Sequence, residues 1–166
     1  NAFSLPGGQI FITEALFNLL DTEGQLAGVL AHEIGHVVGR HSAEQLAQTR
    51  LTQGLTGAAV IAAVDPNDPS TYRTAQFAML VNQMINLKFS RSDELESDSL
   101  GVKYMAQAGY DPRSMIKVMR VLETAGGSSR PVEFMSTHPD PGNRIATIEE
   151  AIQRLFPNGV PAGLKE

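Results

Sequence analysis

The chain of 166 residues contains no cysteine and no tryptophan, and no segment reaches the roughly 20 apolar residues that a membrane span needs. The absence of cysteine excludes disulfide bonds, cysteine nucleophiles and thiolate zinc sites. Any transition metal must therefore bind to histidine and carboxylate groups. Basic residues are also scarce, with 13 Lys and Arg against 18 Asp and Glu and a net charge of -5. Without a cluster of Lys and Arg, the composition argues against nucleic acid or an anionic membrane surface as a partner.

What is present fits one globular domain, with 42% hydrophobic and 19% charged residues. We expect this domain to cover residues 1–166, and we expect further residues upstream because the chain begins with Asn1 rather than Met. After a Pro-Gly-Gly break, the run Gln9-Ile10-Phe11-Ile12 is β-branched and aromatic, which predicts a short strand at a sheet edge. Helical patterns fill most of the remainder. The sequence therefore predicts an α+β fold that is mostly helical, with a small sheet near the N-terminus.

Hydrophobic spacing, caps and stop signals predict where the helices lie. The predicted helices are Thr13 to Leu20, Thr22 continuing to Arg50, one spanning Phe77 to Leu87, one from Ser90 or Ser92 to the Gly109 stop, Asp111 to about Ala125, and Arg144 to Leu155. Loops are predicted at DPNDPS, GGSSRP and STHPDPGN from their turn residues. The segment Leu51–Tyr72 has the glycines and Pro-bounded loop of a mobile flap, but its apolar residues also fit core packing, which is the favoured alternative.

The stretch AHEIGHVVGRH holds three of the four histidines. His32 and His36 are four residues apart, so on a helix they project from one face about 6 Å from each other and can bind one Zn²⁺. Glu33 is placed to act as general base on a water at the metal without binding the metal itself. This is the HExxH pattern of zinc peptidases.

A third protein ligand is needed, and the first candidate is His41. In the metzincin pattern a glycine and then a third histidine follow, but here Gly39 matches while position 42 is serine and the histidine comes one residue early. On a continuous helix, His41 would lie about 140° around the axis from His36. We therefore predict that His41 is structural or supports a ligand from behind.

The better candidate is Glu94, in the stretch FSRSDELESDSLG. Glu94, Asp98 and Gly101 fall at i, i+4 and i+7, so two carboxylates and a bare backbone share one helical stripe that can press against the HExxH helix. Glu94 can then reach the metal, while Asp98 can accept an imidazole N–H and fix the tautomer of a ligand. The alternative is a solvated acidic face. Glu96 points about 200° away from Glu94 and is expected to be exposed.

The sequence resembles a known family, the zinc metallopeptidases that include HtpX, the type I CAAX prenyl protease and the BepA-like peptidases (metallopeptidase family 48). The matching motifs are NAFSLPGG, LAGVLAHEIGHVVGRH, FSRSDELESDSLG and STHPDPGNRI, in the family's order over nearly the whole chain. The chain lacks the membrane-spanning helices of HtpX and the prenyl proteases, so the BepA-like branch fits better. The resemblance implies a zincin-like fold and a periplasmic or membrane-associated location in the bacterial envelope.

The resemblance also implies roles for individual residues. His32, His36 and Glu94 bind one zinc ion per chain, Glu33 is the base, Asp98 supports a ligand, and His138 and Arg144 face the active site. His138 could donate a hydrogen bond to the oxyanion, pack in its loop, or bind zinc in the resting enzyme and inhibit it; Arg144 could orient substrate or His138, or be structural. Gly8, Gln9, Ile10 and Phe11 are expected to pair with an extended polypeptide by strand addition.

Three functions remain open at this stage. The leading hypothesis is a zinc endopeptidase that acts on extended or misfolded polypeptides. A chaperone-like assembly or quality-control factor would retain the fold and the edge strand but seldom cleave. A structural zinc protein would usually close the tetrahedron with four protein ligands, often cysteines. The presence of Glu33 beside the metal ligands favours chemistry over binding alone. The sequence indicates no oligomeric state.

Overall fold

A computed structural model describes residues 1–52, 69–85, 87–126, 133–139 and 142–166 of the chain. The elements, in chain order, are β1 (Ala2–Ser4), β2 (Ile10–Ile12), α1 (Glu14–Phe17), α2 (Glu23–Val38), α3 (His41–Thr52), α4 (Pro69–Ile85), α5 (Arg91–Gln107), α6 (Arg113–Gly126), α7 (Glu133–Thr137) and α8 (Arg144–Leu155). This confirms the predicted fold class, mostly helical with a small sheet near the N-terminus. The predicted flap Leu51–Tyr72 and the GGSSRP loop fall largely outside the described residues.

The two strands form an antiparallel pair in which Ala2 faces Ile12, Phe3 faces Phe11 and Ser4 faces Ile10. The chain reverses at the predicted Pro-Gly-Gly break, where Gly8 has a φ of 90°, a conformation that favours glycine. Strand β1 is buried along its length, whereas β2 is partly exposed. The sequence predicted β2 but gave no signal for its partner β1.

Two predicted caps, Thr22 and Ser90, start helices, whereas the helix predicted from Thr13 to Leu20 ends at Phe17 and the one predicted from Phe77 begins at Pro69. Thr22 accepts a hydrogen bond from the backbone N–H of Gln25 and starts α2, although the Gln25 side chain bonds the backbone of Asp21 instead of completing a capping box on Thr22. Ser90 and Asp93 form a full capping box at the start of α5. The last helix has the bounds that the sequence predicted.

The prediction that one helix runs from Thr22 to Arg50 is wrong. Helix α2 ends at Val38, and Arg40 adopts a φ of 61°, the only positive φ of a non-glycine residue in the described part of the chain. A residue in this left-handed conformation after a helix C-terminus redirects the chain, so α3 begins as a separate helix at His41. The periodic pattern gave no sign of the break, because arginine, unlike glycine, is not typical of a left-handed position.

Helices α2 and α5 pack closely because glycines at their contact have no side chain to separate the two backbones. A Cβ on Gly35 would lie 2.5 Å from Oγ of Ser97 and 2.6 Å from its backbone oxygen. Gly101, the glycine expected to permit the approach, faces the Ala31 backbone at an ordinary 3.4 Å from its Cβ position. The Ser97 hydroxyl also donates a hydrogen bond to the backbone oxygen of His32. This contact holds the two helices in one register and brings their polar residues together.

The main apolar cluster lies beside this contact and joins α2, α5, α6 and α8. Its buried members are Ala31, Val102, Met105, Met115, Met119, Ile148, Ala151 and Ile152. Burying such side chains stabilises the fold by roughly 1.5–3 kcal/mol each for the large ones. Among the described residues, no helix combines the length and the apolar character needed to cross a membrane.

Candidate metal centre

The two histidines of HExxH lie on α2 and turn toward one point. His32 and His36 are buried, and their Nε2 atoms are 3.0 Å apart. The His36 ring also stacks on Phe89, with ring centroids 3.9 Å apart. One helical turn separates the two residues, as the spacing predicts.

Helix α5 brings two carboxylates to these imidazoles. Glu94 is fully buried, with one oxygen 3.4 Å from Nε2 of His32 and the other 3.3 Å from Nε2 of His36. Asp98 is equally buried, and its Oδ1 lies 2.9 Å from Nδ1 of His32. The alternative of a solvated acidic face is therefore wrong for these two residues. Glu96 is exposed, as expected from its position on the helix.

The fourth member of the cluster is His138, which follows α7. Its ring is buried and stacks on Phe134, with centroids 4.3 Å apart. The Nδ1 atom of His138 is 3.0 Å from Glu94 and 3.3 Å from Nε2 of His32. One ligand atom from each of four residues, His32, His36, Glu94 and His138, therefore lies within 4.8 Å of the other three.

The spacing of these atoms fits a tetrahedral metal ion. Nitrogen and oxygen ligands at about 2.0–2.2 Å from zinc lie roughly 3.3–3.6 Å from one another at the corners of a tetrahedron. The five separations given above range from 3.0 to 3.4 Å, at or slightly below these values, with Glu94 presenting Oε2 to His32 and Oε1 to His36 and His138. The donor chemistry fits as well, because three imidazoles and one carboxylate suit a divalent transition metal.

Hydrogen bonds outside the cluster set the direction of the lone pairs. If Nδ1–H of His32 donates to Asp98, Nε2 of His32 presents a lone pair to the cluster. His36 has the equivalent arrangement with His41, whose Nδ1 lies 3.0 Å from Nδ1 of His36. Lone pairs that converge with a carboxylate at one buried point repel one another unless a cation lies between them. The arrangement is therefore suited to a metal ion.

The electrostatics of the cluster also favour a cation. Burial lowers the pKa of His32, but hydrogen bonds with Asp98 and Glu94 outweigh burial and raise that pKa to about 9, so without a metal ion a proton takes the position of the cation on Nε2. Burial lowers the pKa of His36 well below its usual value, which keeps its imidazole neutral and able to bind a metal. Burial raises the pKa of Glu94, but the neighbouring His138 and His32 outweigh it, so the pKa is lowered and the carboxylate stays ionised.

Glu33 lies at the edge of the cluster without belonging to it. Its side chain is fully buried, and neither carboxylate oxygen accepts a hydrogen bond from a described residue. One oxygen is 3.4 Å from Nε2 of His138, on the side of that ring away from Glu94. A buried carboxylate with both oxygens available is suited to receive a proton.

Arg144 was expected to orient substrate or His138, or to be structural. The structure buries it at the start of α8, where Nε and one terminal nitrogen each donate to Asp98 at 2.8 Å. Its other terminal nitrogen is 3.0 Å from Glu94. Burial raises the pKa of Asp98, but the charge of Arg144 outweighs burial and brings the pKa to about 2. Arg144 therefore holds the carboxylates rather than facing solvent.

His41 lies closer to the centre than the sequence predicted. The position about 140° from His36 assumed a continuous helix, and the break at Arg40 instead returns His41 to contact His36. The alternative that His41 supports a ligand from behind agrees with this contact. A glycine at position 39 was the available signal, since it marks a helix end as readily as it marks a metzincin turn.

The strand expected to bind substrate includes Gly8, Gln9, Ile10 and Phe11. Backbone hydrogen bonds join Leu5 to Gln9 and Thr13 to Asn1. Because hydrogen-bonded pairs alternate in an antiparallel ladder, the N–H and C=O groups of Ile10 and Ile12 point away from β1. No described residue bonds to these outer groups. Phe11 stacks on Phe3 across the strands, with ring centroids 5.0 Å apart, and remains 38% exposed.

Comparison with known proteins places this chain in a family. Residues 1–152 match Peptidase family M48, so the chain belongs to that family, as the four motifs predicted. It is 34% identical over 163 residues to the Beta-barrel assembly-enhancing protease of Escherichia coli (strain K12), covering 95% of this chain and 33% of the relative. It is 38% identical over 151 residues to the Mitochondrial metalloendopeptidase OMA1 of Schizosaccharomyces pombe, covering 90% of this chain and 43% of the relative. A human relative, Metalloendopeptidase OMA1, mitochondrial, is 33% identical over 167 residues, covering 96% and 31%. The chain thus spans between 31% and 43% of the length of these three relatives.

Proposed function

We propose that this domain is a zinc-dependent endopeptidase that hydrolyses peptide bonds in extended or misfolded polypeptides. The observation behind this proposal is the convergence of three imidazoles and Glu94 within 4.8 Å at a buried point, with the carboxylate of Glu33 beside it. Membership of Peptidase family M48 supports the same conclusion, as do relatives named protease and metalloendopeptidase. A purely structural zinc site would have no use for Glu33.

His32, His36 and Glu94 would hold one zinc ion per chain. The choice of zinc rests on the nitrogen and carboxylate donors and on separations close to those of a tetrahedron. Asp98 supports His32 through the tautomer, and Arg144 in turn fixes Asp98 with two hydrogen bonds. Arg144 is thus a positioning residue in this scheme.

When bound, zinc supplies Lewis-acid polarisation of the scissile carbonyl and lowers the pKa of the attacking water. Glu33 takes a proton from that water and delivers it to the leaving amine. Burial favours this role, because neither solvent nor a described residue donates a hydrogen bond to the carboxylate oxygens of Glu33. The cleaved peptide bond leaves one new carboxylate and one new amine.

In the resting state, His138 would supply a fourth ligand to the metal and so inhibit the enzyme. Its Nδ1 is as close to Glu94, at 3.0 Å, as the two α2 imidazoles are to each other. A protein ligand at that position takes the place that a catalytic zinc site leaves open for water. Activation then requires the His138 ring to move away from Glu94, after which its ring nitrogens are free to hydrogen-bond the oxyanion of the bound substrate.

The substrate pairs with β2 as an added strand. The outward N–H and C=O groups of Ile10 and Ile12 support this, since an extended peptide forms main-chain hydrogen bonds with such an edge and needs no particular side chain. Gly8 and Gln9 are exposed beside this edge, although the N–H of Gly8 and the C=O of Gln9 are hydrogen-bonded to Leu5. A preference for extended or misfolded chains follows, because folded proteins seldom offer a free strand.

We place the activity in the bacterial envelope, either periplasmic or membrane-associated. Relatives named Beta-barrel assembly-enhancing protease, from Escherichia coli, Shigella flexneri and Yersinia pestis, support this placement. Fractionation of cells that produce the full-length protein tests it, and recovery in the cytoplasm would contradict it.

An assay of peptide cleavage tests the proposed reaction. The zinc-loaded protein, its His138→Ala variant and a Glu33→Gln variant are each incubated with unfolded casein and with quenched fluorescent peptides. We expect faster cleavage by His138→Ala than by the zinc-loaded parent, and none by Glu33→Gln, which still binds zinc and peptide. Zinc and peptide binding with no cleavage by either of the first two proteins would contradict the peptidase and favour the chaperone-like alternative.

A further inference from the structure

The second α2 ligand has a partner that the proposed reaction does not use. Nδ1 of His36 lies 3.0 Å from Nδ1 of His41, and both rings are buried. One face of the His36 ring is covered by Phe89, so its orientation depends on this stack and on the contact with His41. The contact pairs one imidazole with another, whereas His32 pairs with the carboxylate of Asp98.

Only one arrangement of protons satisfies both rings when His36 binds a metal through Nε2. His36 then keeps its proton on Nδ1, and that N–H donates to Nδ1 of His41. His41 must therefore hold its own proton on Nε2. The carboxylate of Glu96 faces that atom at 3.5 Å and favours the required tautomer.

The chain is built locally to bring His41 to this position. Arg40 adopts its left-handed conformation and turns the backbone, so that the residue after it points back toward α2. Gly39 leaves room for the ring, because a Cβ there would lie 2.5 Å from Nε2 and 2.6 Å from Cε1 of His41. Gly39 itself has an ordinary φ of -68°, so the need for glycine is one of space.

We propose that His41 is a positioning residue for the metal centre, accepting a hydrogen bond from His36 and holding that ring ready to bind zinc through Nε2. The inference rests on the proposed zinc site. It assigns different supports to the two α2 ligands, a carboxylate for His32 and an imidazole nitrogen for His36. Groups in this position normally improve metal affinity by 10- to 100-fold or so.

Two substitutions of His41 separate a hydrogen-bond acceptor from simple packing. Asn places Oδ1 where the imidazole has Nδ1, so His41→Asn keeps the acceptor, while His41→Leu keeps bulk without one. The dissociation constant for zinc is measured by competition with a chromophoric chelator, and the thermal midpoint of the metal-free protein is measured alongside. We expect His41→Leu to bind zinc about 10- to 100-fold more weakly and His41→Asn to stay close to the parent.

Gly39→Ala provides a second test that leaves the imidazole in place. The added methyl group displaces the His41 ring from His36, so we expect weaker zinc binding again. This test can be made even if His41→Leu does not fold. Unchanged zinc affinity in His41→Leu, or in Gly39→Ala if the leucine variant does not fold, would overturn the proposal. Equal loss in His41→Leu and His41→Asn would also overturn it. Failure of the parent protein to bind zinc would instead reject the proposed function.

Discussion

Nδ1 of His138 lies 3.0 Å from Oε1 of Glu94, and this places the loop after α7 within reach of the ligands on α2 and α5. The contact suggests a resting enzyme in which a protein side chain fills the position needed by water. Removal of that side chain is then expected to release activity.

His138→Ala is therefore predicted to raise kcat/KM toward an unfolded peptide at saturating zinc, although zinc binds less tightly. The double variant His138→Ala, Glu33→Gln is the control and should be inactive, because the base is missing. Cleavage by His138→Ala that is slower than the parent's at full zinc occupancy would contradict self-inhibition and indicate that His138 assists the transition state instead.

Arg144→Met is predicted to destabilise the metal-free protein by about 3–5 kcal/mol, because it leaves the carboxylate of Asp98 buried without its cation. The free energy of unfolding is measured in urea. Lys117→Met is the control: its side chain is 41% exposed and pairs with the exposed Glu166, so its loss should cost about 0–1 kcal/mol. Equal effects of the two substitutions would show that burial of the Arg144 pair has no special importance.

Gly35→Ala should lower the free energy of unfolding by about 1–3 kcal/mol, since its methyl group meets the backbone of Ser97 and forces α2 from α5. Zinc affinity should fall with it, because the two helices supply ligands from both sides of this contact. In Gly28→Ala, the methyl group would lie 3.3 Å from Cγ of Met115, a flexible side chain, so the loss should be smaller. A tolerated Gly35→Ala with full zinc affinity would contradict the close packing.

Arg40→Gly is predicted to raise the free energy of unfolding by about 1 kcal/mol, because glycine adopts a φ of 61° without the cost that a Cβ imposes. Arg40→Val should lower it, since a β-branched residue is poorly tolerated there. Urea denaturation of both variants measures the difference. Equal stability of the two variants would argue against a left-handed residue at this position.

Sequence reasoning found the parts of the molecule that repeat with a helical period or carry a strong cap. The spacing of His32 and His36 and of Glu94 and Asp98 put each pair on one face of a helix, and the start of α5 followed from Ser90. These features depend on neighbours three or four residues apart, which the sequence displays directly.

The features it missed depend on contacts between distant residues or on a single backbone angle. The break at Arg40 looked like continuing helix, so the return of His41 to His36 was not foreseen. Arg144 was not matched to Asp98, because 46 residues separate them and no local pattern links them. His138 was expected at the active site from the resemblance alone, because its contact with Glu94 joins residues 44 positions apart.

The most direct test of the zinc site is the metal content of the purified protein, measured by elemental mass spectrometry together with a Glu94→Gln variant. Gln has nearly the same volume as Glu but lacks the negative charge that lies 3.3–3.4 Å from the two α2 imidazoles. We expect about one zinc ion per chain in the parent and a sharp reduction in the variant. A parent without zinc, or a variant with full occupancy, would contradict the site assembled from His32, His36 and Glu94.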